Sequence, residues 1–430
     1  MSKPLAIGIA GLGTVGAGVV RLLHDHAALI SARAGATLRV VAVSARDRTR
    51  DRGVRFDDVR WHEDPVALAH DPAVDIVIEL IGGAEGPARA LVEAALQAGK
   101  PVITANKALI AHHGNHLASL GEAHGAALRF EAAVAGGIPV IKVLREGLAA
   151  NQIKAVAGIF NGTCNYILSR MRSEKLDFAS VLADAQAQGY AEADPSFDID
   201  GVDTAHKLAI LAALAFGRPL DFAAIHVEGI RRVSALDIAF ADELGYRIKL
   251  LGIARATADG VEARVHPAMV PLSAPLALVD GVHNGVVIDG DPVGQVVLQG
   301  RGAGAGPTAS AVIADLIDLA RNRATPVLGV EKSGLIALPS VPMDQHRGAY
   351  FLRLMVKDQP GVIADITAAL RDHTISLESM LQHGRSDNQP VPVVLVTHIT
   401  QESAMRAALA RLETLSSVLE PPTIIRIEPA

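Results

Sequence analysis

The order of apolar runs predicts an α/β chain in three parts: a doubly wound parallel sheet, an α+β unit, and a C-terminal unit of βαββαβ order. Three observations carry this. An apolar run from Leu5 to Ala10 meets Gly11-Leu12-Gly13-Thr14-Val15-Gly16, after which Val19, Val20, Leu22 and Leu23 recur at helical spacing. Short β-rich runs then alternate with helical segments as far as Glu131, the pattern of a parallel sheet. Beyond a proline-bearing stretch, the runs from Tyr350 to Ile427 spell strand, helix, strand, strand, helix, strand.

In order, further strands are expected at Leu38–Val43, Asp75–Leu80, Pro101–Thr104 and Leu128–Glu131, with a helix at Pro87–Gln97. After Glu131 the texture changes. Gly136-Gly137-Ile138-Pro139 opens a helical stretch through Glu146, and β-rich runs return near Gln152 to Ile159, so a second domain begins here. A helix is expected over Asp203–Phe216, where Leu208, Ile210, Leu211 and Leu214 are apolar, Gly217 suits a cap and Pro219 forbids continuation. Gly300 to Thr308 reads as a built loop feeding a helix from Ala309 to Arg321, because flexible linkers rarely end in a Pro-Thr helix start. Thr325 to Gly348, with Pro326, Pro339 and Pro342, is the linker. The last unit has strands at Tyr350–Val356, Ile375–Leu381, Val391–Thr397 and Thr423–Ile427, helices at Val362–Arg371 and Glu402–Leu415, and a turn around Asn388, which is the ferredoxin-like motif. The domains are therefore drawn at 1–135 (with a return helix near 305–323), 136–304 and 349–430, with 325–348 linking.

Composition narrows the function. Half the residues are hydrophobic and 20% are charged, as in a globular protein. The longest uncharged stretch, Pro4 to Val20, holds five glycines, so no membrane crossing is expected; the same glycines and the lack of a cleavage site speak against export. A single cysteine, Cys164, excludes an internal disulfide and a multi-thiolate zinc site, which suits the cytoplasm. A formal charge of −6 with 3% aromatic residues offers nucleic acid neither a cationic field nor stacking platforms. A small, charged substrate fits better.

Gly11, Gly13 and Gly16 stand where a strand turns into a helix, so the amides of Thr14, Val15 and Gly16 can hold a pyrophosphate; a ligand-free glycine turn is the alternative. The second strand ends Val43-Ser44-Ala45-Arg46 with no acid to grip a ribose hydroxyl, which favours NADP, with the Arg46 fork on the 2′-phosphate. Asp47 keeps NAD open, and a solvated charged loop is the other reading of Arg46 to Arg55.

From Gly189 to Lys207 five acids precede two basic groups. A calcium loop fails, because Ser196 stands at its first position and Lys207 where the bidentate glutamate belongs. Asp203 and Lys207 are four apart on one helix, which fits either a surface ion pair or an oriented proton donor for an alkoxide. His206 faces another part of the helix surface and reads as packed or solvated. Lys107, in Thr104-Ala105-Asn106-Lys107, follows the fourth strand at the sheet edge where ligands gather, or is a surface lysine. Asn161-Gly162-Thr163-Cys164-Asn165 offers small polar groups or a tight turn. Cys164 would be the nucleophile of an acylating aldehyde dehydrogenase, but no histidine follows nearby and a buried inert thiol is the usual state.

Laid in order, Gly11 to Gly16, Thr104 to Lys107, Glu131 to Pro139, Gly158 to Thr163 and Gly189 to Lys207 resemble the homoserine dehydrogenases of the monofunctional type, with no kinase portion ahead of Met1 and a C-terminal ACT domain. The resemblance implies a Rossmann-type cofactor domain, a substrate-binding and dimerisation domain, and NAD(P)H-dependent reduction of L-aspartate 4-semialdehyde to L-homoserine in threonine, methionine and isoleucine biosynthesis. It makes Lys207 the proton donor oriented by Asp203, Lys107 a positioning group for substrate and nicotinamide, and Glu192, Gly162 and Thr163 the receivers of the amino-acid end. Asp198 is left open as a substrate contact. Gly304 and Gly306 would line the cofactor. A sodium or potassium ion would be held by carbonyls of Val134, Gly136 and Ile138 with the Glu131 side chain. Asp358-Gln359-Pro360-Gly361-Val362 resembles the start of ACT helices, implying either threonine feedback or a ligand-free oligomerisation module. A homodimer or homotetramer is the family expectation. A catalytically silent nucleotide-binding amino-acid sensor and the acylating semialdehyde dehydrogenase remain as alternatives.

Overall fold

The computed structural model describes residues 4–323, 325–384 and 389–428. Contacts divide the chain into two units: the first comprises 1–162, 205–225 and 283–338, the second 163–204, 226–282 and 339–430.

The first unit is built on six strands, β1 (Leu5–Ala10), β2 (Leu38–Ser44), β3 (Arg60–His62), β4 (Ile76–Glu79), β5 (Val102–Thr104) and β6 (Leu128–Arg129), with helices α1 (Thr14–Asp25), α2 (Ala27–Ala34), α3 (Ala67–His70), α4 (Pro87–Gln97) and α5 (Lys107–His124) between them. All strand pairs are parallel and the order is β3-β2-β1-β4-β5-β6, the doubly wound arrangement whose switch point lies between β1 and β4. Register aligns Ala10 with Ser44 and Glu79, and Glu79 with Thr104, so the segments that follow leave along one carboxyl edge. Ile7, Ile9 and Ile78 are fully buried in the core, where the helix Ala305–Ala320 adds Ala309, Val312 and Leu316. That helix starts four residues before the expected Ala309, because Pro307 is tolerated in a first turn that needs no amide donor. Strands Gln152–Ile159, His283–Asp291 and Gly294–Arg301 form an antiparallel set in the same unit.

The helix expected from Gly136 to Glu146 is cut short. Ala135 (φ 53°) and Gly136 (φ 48°) take left-handed conformations, and only Val140–Lys142 and a π turn at Val143–Gly147 are helical.

In the second unit, strands Tyr246–Thr257 and Gly260–Pro271 form a long hairpin. Its second strand pairs in parallel with Thr423–Ile427, which continues antiparallel into Arg347–Val356, Val391–Thr397 and Leu377–Gln382. The last four strands thus lie in the order fourth, first, third, second, as a βαββαβ unit requires. Helices Val362–Asp372 and Glu402–Glu413 bury Ile366, Leu370, Met405 and Leu412 against Tyr350, Leu352, Leu354, Val393 and Leu395. The turn expected around Asn388 lies outside the described residues. The proline-bearing stretch is tethered: in the first unit Ile336 donates to the Gly217 carbonyl at 2.8 Å, and in the second Val261 donates to Pro339 at 2.8 Å.

Candidate active site

The glycine turn is shaped by what each missing Cβ would strike. At Gly11, with φ 91°, it would lie 2.4 Å from the Leu80 carbonyl, and at Gly16 2.1 Å from the Gly11 oxygen; both glycines let backbone close on backbone. At Gly13 it would meet nothing within 4 Å. Gly13 caps α1 without a side-chain hydrogen bond, so the leading amides of Thr14, Val15 and Gly16 meet no capping side chain, a fit for pyrophosphate. Gly304 (φ 111°) likewise begins the helix Ala305–Ala320 with no side-chain cap, and a Cβ on Gly18 would lie 2.9 Å from the Ala305 oxygen. Two uncapped helix starts therefore lie close together, with Gly306 in the first turn of the second.

After β2, Arg46 is exposed and has no partner among the described residues. Asp47 is engaged: one oxygen accepts the Thr49 hydroxyl (2.7 Å) and the amides of Thr49 (2.8 Å) and Arg50 (3.2 Å), led by Thr49 in holding the carboxyl below its usual range. Arg52, not singled out in the sequence, donates to the Leu12 carbonyl at 3.0 Å and joins this loop to the glycine turn.

Lys107 is the first residue of α5, behind Asn106, whose side chain caps the helix by accepting the Leu109 amide at 3.1 Å. Lys207 and Asp203 lie one turn apart on the helix Val202–Phe216 and are 8% and 2% exposed, which overturns the surface ion pair. The Lys207 ammonium donates to the Phe160 carbonyl at 2.6 Å, just ahead of Gly162. His206 is packed, with its ring nitrogen 3.1 Å from that of His112 and its ring 4.5 Å from Phe222.

Within the second unit, Thr163 donates its hydroxyl to the Tyr190 carbonyl at 2.9 Å. Cys164 is fully buried and its thiol contacts the Asp198 carbonyl at 3.2 Å, which is the posture of an inert thiol rather than a nucleophile. Asp194 accepts the Ser196 amide at 3.1 Å and Asp200 pairs with Arg231, whereas Glu192 is exposed and its backbone carbonyl accepts the Gln186 side-chain amide at 3.0 Å. Asp198 is half-buried. Sequence reasoning passed over Lys249, which is buried and bonded to Asn165 (3.1 Å), the Val279 carbonyl (2.6 Å) and Asp280 (2.9 Å); burial pulls its pKa down against Asp280.

The turn Glu131 to Ile138 tests for a cation. The Glu131 carboxylate accepts the amides of Ile141 (3.0 Å) and Lys142 (2.9 Å), while its own amide donates to Asp315 at 2.8 Å. Burial, then the neighbouring Asp315, pushes Glu131 up to about 8, and burial pushes Asp315 up to about 6. The Ile138 carbonyl accepts from Val140 at 2.8 Å, but those of Val134 and Gly136 accept no hydrogen bond among the described residues. Two unclaimed carbonyls in buried residues, turned by left-handed backbone at 135 and 136, fit a weakly charged ion. No cluster of three His, Cys, Asp or Glu suited to a metal occurs among the described residues.

The family model for the homoserine dehydrogenase NAD binding domain matches residues 11–131, that for homoserine dehydrogenase 139–317, and that for the ACT domain 350–416. The chain is 46% identical over 432 residues to a homoserine dehydrogenase of Neisseria gonorrhoeae, and 46% identical over 434 residues to one of Pseudomonas aeruginosa, with 99% of each chain covered in both cases. Its fold superposes on the crystal structure of a homoserine dehydrogenase from Thiobacillus denitrificans with a TM-score of 0.94, at 46% identity over 99% of both chains. A hyperthermophilic archaeal homoserine dehydrogenase in complex with NADPH, 27% identical, matches 75% of this chain and all of its own with a TM-score of 0.65. With all three domain models matched in order and full-length relatives on both counts, the chain belongs to the homoserine dehydrogenase family and carries a C-terminal ACT domain.

Proposed function

We propose that the chain reduces L-aspartate 4-semialdehyde to L-homoserine with Lys207 as proton donor. The observation that carries this reading is the burial of Lys207 and Asp203 on one helix, with the ammonium at the Phe160 carbonyl beside Gly162. The nicotinamide, when bound, supplies the hydride that the aldehyde carbon receives. Lys207 then delivers a proton to the oxygen on which negative charge develops, and Asp203, one turn away, favours the charged, oriented lysine. Lys107 positions substrate and nicotinamide; Glu192, Gly162 and Thr163 receive the amino and carboxyl groups, with Asp198 as a further contact.

Gly11, Gly13, Thr14, Val15, Gly16, Gly304 and Gly306 hold the dinucleotide. NADP is preferred, supported by an unpaired Arg46 beside an Asp47 whose carboxylate is turned onto its own loop. Sodium or potassium binds the carbonyls of Val134, Gly136 and Ile138, with Glu131 bracing the turn through its two amide contacts. The work divides among residues 1–135 with the return helix, 136–304, and the ACT unit 349–430 beyond the linker 325–348. The protein is a cytoplasmic homodimer or homotetramer, with threonine as the amino acid read by the ACT unit.

The test is the loss of NADPH absorbance with aspartate 4-semialdehyde, run beside NADH, for wild type and Lys207→Ala. Loss of general acid help should lower kcat by about 10²- to 10⁴-fold while NADPH affinity holds. A variant retaining half the wild-type kcat would remove Lys207 from the chemistry. No turnover by folded wild type would favour the silent sensor.

A further inference from the structure

Glu79 ends β4 at the carboxyl edge of the sheet with no exposed surface, and no step above uses it. Three donors converge on its carboxylate. Oε2 accepts the Thr104 hydroxyl at 2.5 Å, and Oε1 accepts the amides of Ile81 at 2.7 Å and Gly82 at 3.0 Å. The Thr104 oxygen in turn accepts the Asn106 amide at 2.9 Å, so the direction of its single proton is fixed toward Glu79. Asn106 donates from its side chain to the Gly83 carbonyl at 2.7 Å and caps α5, whose first residue is Lys107.

One buried carboxylate therefore ties the ends of two neighbouring strands. The Leu80 amide still donates to the Ala10 carbonyl at 2.7 Å, but beyond it the amides of Ile81 and Gly82 are held by Glu79, and Gly82 and Gly83 take φ of 88° and 85°, so the path of the segment after Leu80 depends on the acceptor at Glu79. The same segment abuts the glycine turn, since the Leu80 carbonyl is what forbids a Cβ on Gly11. Moving Glu79 would move the floor under the pyrophosphate turn and the start of the Lys107 helix together.

We propose that Glu79, acting through Thr104 and Asn106, is a positioning residue that sets Lys107 against the cofactor-holding glycine turn. It touches neither substrate nor cofactor. The inference rests on the role given to Lys107 above.

The test compares wild type, Glu79→Gln, Thr104→Val, Thr104→Ser and the Glu79→Gln/Thr104→Val double variant. Each is measured for kcat with aspartate 4-semialdehyde, for NADPH affinity by the change in NADPH fluorescence, and for thermal midpoint. Thr104→Val keeps the side-chain shape but loses both hydrogen bonds, so kcat should fall about tenfold and NADPH Kd should rise severalfold. Thr104→Ser should recover most of both. The double variant should be little worse than either single one, because both cut the same path. Should Glu79→Gln fail to fold, Thr104→Val and Thr104→Ser decide. Folded variants that keep kcat and NADPH Kd within about twofold of wild type, whatever their midpoint, would overturn the proposal. If wild type itself does not turn over, the functional reading fails, while the NADPH affinities still test the positioning role.

Discussion

Glu428→Ala should destabilise the second unit more than an ordinary substitution. The Arg264 side chain, 1% exposed, donates to both oxygens of Glu428 at 2.8 and 2.9 Å. Its other contacts are Glu262 and the His266 ring nitrogen at 3.1 Å. Truncation leaves a buried guanidinium with one carboxylate instead of two, and among the described residues the nearby acids Glu228 and Glu402 already bind Arg426. Removing one partner of such a pair costs about 3–5 kcal/mol. For a unit of this size each kcal/mol moves the midpoint by roughly 2–4 °C, so the fall is about 6–20 °C. Calorimetry, read on the transition that loses second-unit structure, measures it. Replacing both partners, Arg264→Met with Glu428→Leu, should restore part of the loss, because the buried guanidinium is removed with its lost partner, while Glu262 keeps His346 at 2.6 Å. A single variant melting within about 2 °C of wild type would show that Arg264 is not held as described.

The same network predicts acid lability. Burial alone would raise Glu228, Glu262, Glu402 and Glu428, yet their histidine and arginine partners hold all four below the usual 4.5. Carboxyls depressed in the folded state contribute stability that is full above that value and is lost as pH falls from it through their lower folded-state values, so the midpoint should drop progressively below about pH 4.5. Glu402→Gln should flatten that slope, and an unchanged slope would place the acid sensitivity elsewhere. Gly13→Asp adds an N-cap acid in open space, so the fold should hold or gain slightly, while repulsion of pyrophosphate raises NADPH Kd at least about tenfold by titration. An unaltered Kd would move the dinucleotide off this turn.

Local signals made the elements legible. Leu5–Ala10, Pro87–Gln97, Val391–Thr397 and Thr423–Ile427 fall where apolar spacing and flanking turn residues place them. Pairing carries no such signal: nothing near Gly260–Pro271 announces that Thr423–Ile427 will lie beside it. Buried charges on strands escape notice for the same reason. Nothing beside Arg264 or Lys249 in the chain marks them as residues that distant segments will cover. Of the site, the glycine turn and the Asp203/Lys207 spacing were visible because both follow from helix geometry. Glu79 was not, since a strand-end acid is sought after β2, where it grips a ribose, and this one serves the backbone after β4 instead.

The join between the hairpin and the ACT sheet has a consequence for how the second unit responds as a body. Register places Arg426 beside Ala268 and Ala268 beside Lys249, so two buried cations flank one alanine across three strands. Arg426 is held by Glu228 and Glu402, the latter on the ACT helix Glu402–Glu413; Lys249 is held by Asn165 and Asp280, in the helix that begins Gly162-Thr163 and the loop beyond Val279. Displacing the ACT strand Thr423–Ile427 from the hairpin would part Arg264 from Glu428 and Arg426 from Glu228 at once, a cost well above that of sliding an apolar interface. With those pairs intact the ACT strand and the hairpin form one continuous body, and Lys249 joins the hairpin to Asn165. Such continuity is a route and not yet a coupling. It becomes one only where a ligand binds two arrangements of this sheet with different affinity, and the buried cations make intermediate arrangements expensive.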